Sequence, residues 1–247
     1  MRLDTLIVEK KQARSRNVAS DLIKKGLVKV DGEIITKPAK EFTDYSDLII
    51  EILEQPKYVG RGGLKLEKAL QEFKINPENL TVMDIGSSTG GFTDCLLQAG
   101  AKKVYAIDVG TDQLDLSLKN NPKVISMEKT DIRNIENLPE KPDLAVIDVS
   151  FISLQSILEK VASLLSGQGK IIALVKPQFE TAKSEKNKRG VVKTDESRDK
   201  VIEKIENYCC EINLKVINKI DSPILGGSGN KEYLILLQKE NLLLSYP

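Results

Sequence analysis

Val82-Met83-Asp84-Ile85 is a short apolar run ending in a carboxylate and one further apolar residue, and it passes directly into the small residues Gly86-Ser87-Ser88-Thr89-Gly90-Gly91. Phe92-Thr93-Asp94-Cys95-Leu96-Leu97 follows, with its apolar residues at helical spacing. A strand, a glycine turn and a helix are therefore expected in succession. Glycine allows the turn its positive φ and leaves main-chain N–H groups at the helix start open to a ligand. A chain built around such a unit is constrained towards an α/β fold.

The stretches that follow repeat the theme. Lys103–Asp108, Val124–Met127, Asp143–Asp148 and Lys170–Pro177 read as strands, with helices expected over Thr111–Leu118 and Leu154–Leu165. Strands that are apolar throughout and alternate with helices predict a parallel sheet covered on both faces. Right-handed crossovers bring the strand C-termini to one rim, which gathers Asp84, Asp108, Asp148 and Lys176. Thr181–Lys200 is polar and basic, read either as a surface loop or as a flap touching nucleic acid. A helix carrying Val201, Ile205 and Tyr208 follows it, then two closing strands, Leu214–Ile220 and Tyr233–Leu237.

The front of the chain has a different character. Met1–Lys40 holds ten Lys and Arg against five Asp and Glu, whereas the remainder has an acidic excess. Two short helices are expected, the second from Ser15 to Gly26, then a strand, an Asp31-Gly32 turn and a second strand. Arg14, Arg16, Lys24 and Lys25 surround the polar side of that second helix, and Lys29 and Lys37 extend the basic face. Pro56 and Gly60 mark a linker.

Composition removes several classes of chemistry. The chain of 247 residues contains no histidine, so any general base is Lys, Asp, Glu or Tyr. Cys95, Cys209 and Cys210 suit neither a metal set nor a disulfide framework and are expected as reduced, buried thiols. No metal site is expected. Apolar runs are too short to span a bilayer, and the N-terminus has no apolar signal core, so a cytoplasmic protein without stable membrane association is expected.

The loop 86–91 lacks the G-x-G-x-x-G dinucleotide spacing, and Gly226–Lys231 lacks the hydroxyl of a phosphate loop. Asp108, ending the second strand, suits a ribose diol. An adenosine-containing ligand is favoured without being named. Here a resemblance adds detail. Asp84–Thr93 resembles the first motif of the FtsJ-like RNA 2'-O-methyltransferases. Arg2-Leu3-Asp4, Ser15-Arg16, Gly26, Asp31-Gly32 and Lys37-Pro38 resemble the RNA-binding module named after ribosomal small-subunit protein four. With Arg61-Gly62-Gly63 and Asp148-Val149-Ser150-Phe151-Ile152-Ser153, nearly the whole chain is similar to the TlyA-type family, historically called hemolysins.

The resemblance implies a Rossmann-like seven-stranded sheet, its last strand antiparallel, behind a small N-terminal α+β RNA-binding domain. The expected divisions are 1–54 for that domain, 55–60 for the linker, 61–240 for the methyltransferase domain and 241–247 for a tail. It implies S-adenosylmethionine as cofactor, with Asp84, Gly86, Ser87, Gly90, Gly91, Phe92, Asp108 and Asp131 around it. RNA, implied to be ribosomal, would meet Arg2, Arg14, Arg16, Lys24, Lys25, Lys29, Lys37 and Arg61. The family's catalytic tetrad falls on Lys65, Asp148, Lys176 and Glu232. Lys176 would deprotonate or steer a ribose hydroxyl, helped by the cationic neighbour Lys65, while Asp148 and Glu232 orient the cluster. Taken alone, Lys65 reads as a surface lysine near a helix start and Glu232 as half of a surface pair with Lys231. One departure stands out: Gly190-Val191-Val192 is not followed by the histidine that related sequences often carry.

The implied activity is ribose methylation of RNA, with cytidine as the base. The alternatives are a membrane-active cytolysin, as the older family name suggests, or a non-catalytic RNA-binding assembly factor.

Overall fold

A computed structural model describes residues 1–239. The expected tail, 241–247, and the last residue of the expected methyltransferase domain lie outside the described residues. The chain divides into two compact units, Met1–Lys57 and Tyr58 onward.

In the first unit, α1 (Leu3–Glu9) and α2 (Arg16–Lys24) precede β1 (Val28–Val30), β2 (Glu33–Ile34) and β3 (Ile50–Ile52). Ser15 starts α2 by accepting a hydrogen bond from the Val18 N–H at 3.3 Å, a cap worth about 1 kcal/mol. The helix ends before Gly26, whose φ of +71° a side chain would strain. The Asp31-Gly32 turn, both residues at positive φ, joins β1 to β2 antiparallel, and β3 pairs antiparallel on the other side of β1. Leu3, Leu6, Ile7, Ala19, Leu22, Ile23, Val28 and Val30 are buried together as this unit's core.

The second unit is built on a seven-stranded sheet. Its strands are β4 (Thr81–Ile85), β5 (Lys103–Ile107), β6 (Val124–Met127), β7 (Leu144–Ile147), β8 (Lys170–Val175), β9 (Leu214–Asp221) and β10 (Tyr233–Lys239), in the order β6-β5-β4-β7-β8-β10-β9. The five strands β4–β8 are parallel, and β10 inserts antiparallel between β8 and β9. The order reverses at β4, where the first crossovers leave in opposite directions. A crevice outside the strand ends is expected at such a point.

Alternation along the strands fills both faces. Val82, Leu144, Val146 and Ile172 join one apolar cluster, while Met83, Ala145, Ile147 and Ile171 join the other. The first is closed by α3 (Gly62–Glu72) and α4 (Gly91–Gln98), the second by α6 (Leu158–Leu164) and α8 (Asp195–Glu211), with the short α7 (Pro177–Glu180) following β8.

Three element boundaries differ from the sequence reading. The helix expected over Thr111–Leu118 is only α5 (Leu116–Lys119), because Asp112 takes a φ of +52° and the Asp115 side chain caps Ser117. The helix expected over Leu154–Leu165 is a 3-10 turn, Leu154–Ser156, followed by α6. In the polar stretch, α8 begins at Asp195, capped by Thr194 accepting from the Ser197 N–H at 3.1 Å.

Candidate active site

The glycine loop sits at the C-terminal end of β4, where backbone demands select its residues. Gly86 has a φ of +80°, and a Cβ there would lie 2.7 Å from the Asp148 carbonyl oxygen. Gly90, at +96°, precedes the first turn of α4, and a Cβ there would strike Leu118 at 2.2 Å. The Asp108 carboxylate fixes the loop from the next strand, accepting from the Ser88 N–H and the Gly110 N–H, each at 2.7 Å.

A cleft of about 270 Å³ opens beside this loop. Of the residues singled out in the sequence, Arg61, Lys65, Gly86, Ser87, Gly91, Phe92, Asp148 and Lys176 line it. Small residues cradle the space: a Cβ on Gly60 would fall 2.8 Å from Thr89 Oγ1, and one on Gly62 would meet the Phe92 ring at 3.3 Å. These glycines let the segment 60–62 pack closely against the loop.

Asp84 does not reach this cleft. It shares the sheet face of Val82 and points under α4, fully buried, accepting a hydrogen bond from Thr93 Oγ1 at 2.6 Å while its other oxygen has no partner. Burial pushes its carboxyl up to about 7, opposed by the Thr93 bond. Gly90, Asp108 and Asp131 also lie off the cleft lining. Asp131 is engaged by Arg133, whose Nη2 donates at 2.5 Å and whose backbone N–H donates at 3.0 Å, which holds the carboxyl below its usual range.

The four tetrad positions form two ion pairs. Lys65 is buried, against its local reading as a surface lysine, and donates to Glu232 Oε2 at 2.6 Å. Glu232 is buried too, in space left by Gly226, where a Cβ would stand 2.3 Å from Oε1. Lys176 Nζ lies 2.5 Å from Asp148 Oδ1, an ion contact whose angles miss those of a hydrogen bond, and it donates instead to Ser150 Oγ at 2.9 Å. β7 and β8 are adjacent and parallel, so Asp148 and Lys176 leave neighbouring strand ends. Glu232 stands just before β10, which flanks β8 on its other side.

Two polar residues here were missed in the sequence, Ser150 and Gln178. Gln178 Nε2 donates to Glu232 Oε1 at 3.3 Å. Ser150 lies inside the Asp148–Ser153 motif, where no role was given to it, and the signal for Gln178 was proximity alone, two residues beyond Lys176. The polar segment before α8 is tied down by Asn230, which accepts from the Val192 N–H at 3.0 Å and donates to the Gly190 carbonyl at 3.2 Å. Cys95 and Cys209 are buried, with the Cys209 thiol pushed up to about 12 by burial, but Cys210 is exposed on the outer side of α8, contrary to expectation.

In the N-terminal unit, Arg2, Arg14, Arg16, Lys24, Lys25 and Lys37 are exposed, and Lys29 is half-buried on β1. Arg2 grips Asp4 through Nε at 3.0 Å and Nη2 at 2.7 Å. Among the described residues, no helix is long and apolar enough to cross a membrane.

Comparison with known proteins agrees with this organisation. The FtsJ-like methyltransferase family matches residues 58–239, and the S4 domain matches residues 1–44. The chain is 41% identical to Hemolysin A of Brachyspira hyodysenteriae, over 95% of this chain and 98% of that one. It is 37% identical to the 16S/23S rRNA (cytidine-2'-O)-methyltransferase TlyA of Mycobacterium tuberculosis, covering 97% and 90% of the two chains. A solved structure from Streptococcus thermophilus bearing the hemolysin name superimposes with a TM-score of 0.78 at 41% identity, covering 98% of this chain and 89% of that one. By its sheet, its loop and these matches, the chain belongs to the FtsJ-like methyltransferase family, with an S4 domain at its front.

Proposed function

We propose that this chain transfers the methyl group of S-adenosylmethionine to a ribose 2'-oxygen in ribosomal RNA, at a cytidine, in the cytoplasm. The observation that carries the reading is the pairing of Lys176 with Asp148 and of Lys65 with Glu232 around the glycine-loop cleft. The TlyA relative's name supplies the base and the RNA class. The hemolysin name of other relatives has no counterpart in the cleft's chemistry.

S-adenosylmethionine, when bound, supplies a methyl group already activated by sulfonium. What the protein adds is alignment of a weakly nucleophilic hydroxyl and a path for its proton. Gly86, Ser87 and Gly91 form the donor's seat, and Asp108, off the cleft lining, holds the loop through the Ser88 N–H. Lys176 is the group placed to hold the hydroxyl oxygen, exchanging its contact with Ser150 for one to the ribose. Glu232 meets the charge of Lys65 at 2.6 Å. Lys65 and Glu232 thereby hold each other in place, and Lys176 steers the oxygen. In the transfer an oxygen–carbon bond replaces the sulfur–carbon bond, and the hydroxyl proton is released to solvent.

The test uses the purified protein, methyl-labelled S-adenosylmethionine and transcribed 16S and 23S ribosomal RNA. Alkaline digestion should leave the label in alkali-resistant dinucleotides, because a blocked 2'-oxygen cannot cleave the strand. Label on the bases, or none, contradicts the proposal.

A further inference from the structure

Asp4 occupies the first turn of α1, with only 4% of its surface exposed, in a face otherwise dominated by cations. Arg2 binds its carboxylate as a two-pronged fork, Nε to Oδ1 and Nη2 to Oδ2, while Arg16 Nη2 reaches Oδ2 at 3.4 Å and Thr5 Oγ1 donates to Oδ1 at 3.3 Å. The two arginine side chains remain 43% and 58% exposed. One comes from the residue before α1 and the other from the first residue of α2. Asp4 is thus the shared anchor of two arginines from separate helices.

We propose that Asp4 is a positioning residue for RNA binding, holding Arg2 and Arg16 so that their remaining N–H groups present a fixed double fork to backbone phosphates. A free arginine loses much of its rotamer freedom when it is fixed. Anchoring the side chains before RNA arrives removes part of that cost from binding. The guanidinium suits the role because one edge can hold a carboxylate while another meets a phosphate. The inference rests on the reading of this unit as the RNA-holding part of the protein.

Charge alone predicts the opposite sign, since removing an acid from a phosphate-binding face should tighten binding. The full-length protein is titrated against transcribed 16S and 23S ribosomal RNA at several salt concentrations. Asp4→Asn should weaken binding by about tenfold, or about 1.4 kcal/mol, although it raises the net charge. In an Arg2→Ala/Arg16→Ala background, Asp4→Asn should cause no further loss. Unchanged or tighter binding by Asp4→Asn overturns the proposal, as does an equal loss in both backgrounds, which marks a merely structural role. Should Asp4→Asn fail to fold, Arg2→Lys decides: it keeps the charge but loses the fork, and full affinity in that variant overturns the proposal. If the double arginine variant itself binds normally, the RNA-holding role of the unit falls with it. Weakening by the arginine changes but not by Asp4→Asn removes only the role of Asp4.

Discussion

Carboxylates hold cations in both units of this protein, with opposite results for the cation. At Asp4 the acid is buried and the Arg2 and Arg16 side chains remain substantially exposed. In the cleft the lysines are enclosed as well: Lys65 and Glu232 have side chains only 10% and 2% exposed, and Lys176 and Asp148 only 12% and 21%. The first arrangement leaves N–H groups available to polyanions. The second matches each ammonium with a carboxylate, so the cleft offers directed donors without a strong net charge. Affinity and chemistry therefore call for different treatment of the same charges.

The largest expected effect lies in the cleft. Lys176→Ala should lower methyl transfer by about 10²- to 10⁴-fold while the Kd for S-adenosylmethionine, measured by calorimetry, stays within about twofold. A parallel loss of cofactor affinity would erase the distinction between the lysines and the glycine loop. Glu232→Gln comes next, because it leaves the Lys65 ammonium buried without a counter-charge. Loss of about 3–5 kcal/mol of unfolding free energy is expected, read by denaturant titration, whereas the more exposed Lys68–Glu72 pair should yield under about 1 kcal/mol on the same treatment. Gly86→Ala should cost about 1–2 kcal/mol in stability from its left-handed backbone and should weaken cofactor binding, since the Asp148 carbonyl occupies the space its Cβ needs.

The smallest effect is in pH dependence and separates two buried aspartates. Guanidinium partners hold the Asp4 carboxyl down to about 2. Its contribution to stability is therefore complete above the ordinary carboxylate range near 4 and is lost as pH falls through about 2. Burial holds Asp84 up at about 7. The folded protein then binds the extra proton between about pH 4 and 7, so this group's contribution declines as pH rises through that window. Asp84→Asn should flatten the Tm profile between those values and leave the acid limb intact; Asp4→Asn should lower Tm above about pH 4 and flatten the acid limb.

Much of the architecture was legible because local signals agreed with the global fold. The Asp31-Gly32 hairpin, the fully apolar strands and the glycine turn each encode their conformation within a few residues. The gathering of Asp148 and Lys176 followed from two adjacent parallel strand ends. The burial of Lys65 was not legible, since near a helix start lysine ordinarily faces water and its partner Glu232 is far away in sequence. The family resemblance puts Asp84 around the cofactor; strand alternation instead directs it beneath α4, towards Thr93. Thr111–Leu118 carried helix-like spacing, but the aspartates there favoured turn and capping geometry over a full helix. Ser150 stood inside the Asp148–Ser153 motif without a role of its own, and Gln178 had no pattern and became visible only beside Glu232.

The central claim is most directly tested by mapping 2'-O-methyl groups by mass spectrometry on ribosomal RNA from cells lacking this protein, complemented with either the wild type or Lys176→Ala. The account predicts that a 2'-O-methylcytidine disappears on deletion, returns with the wild type and stays absent with Lys176→Ala. Identical maps with and without the protein, or full restoration by Lys176→Ala, would contradict it.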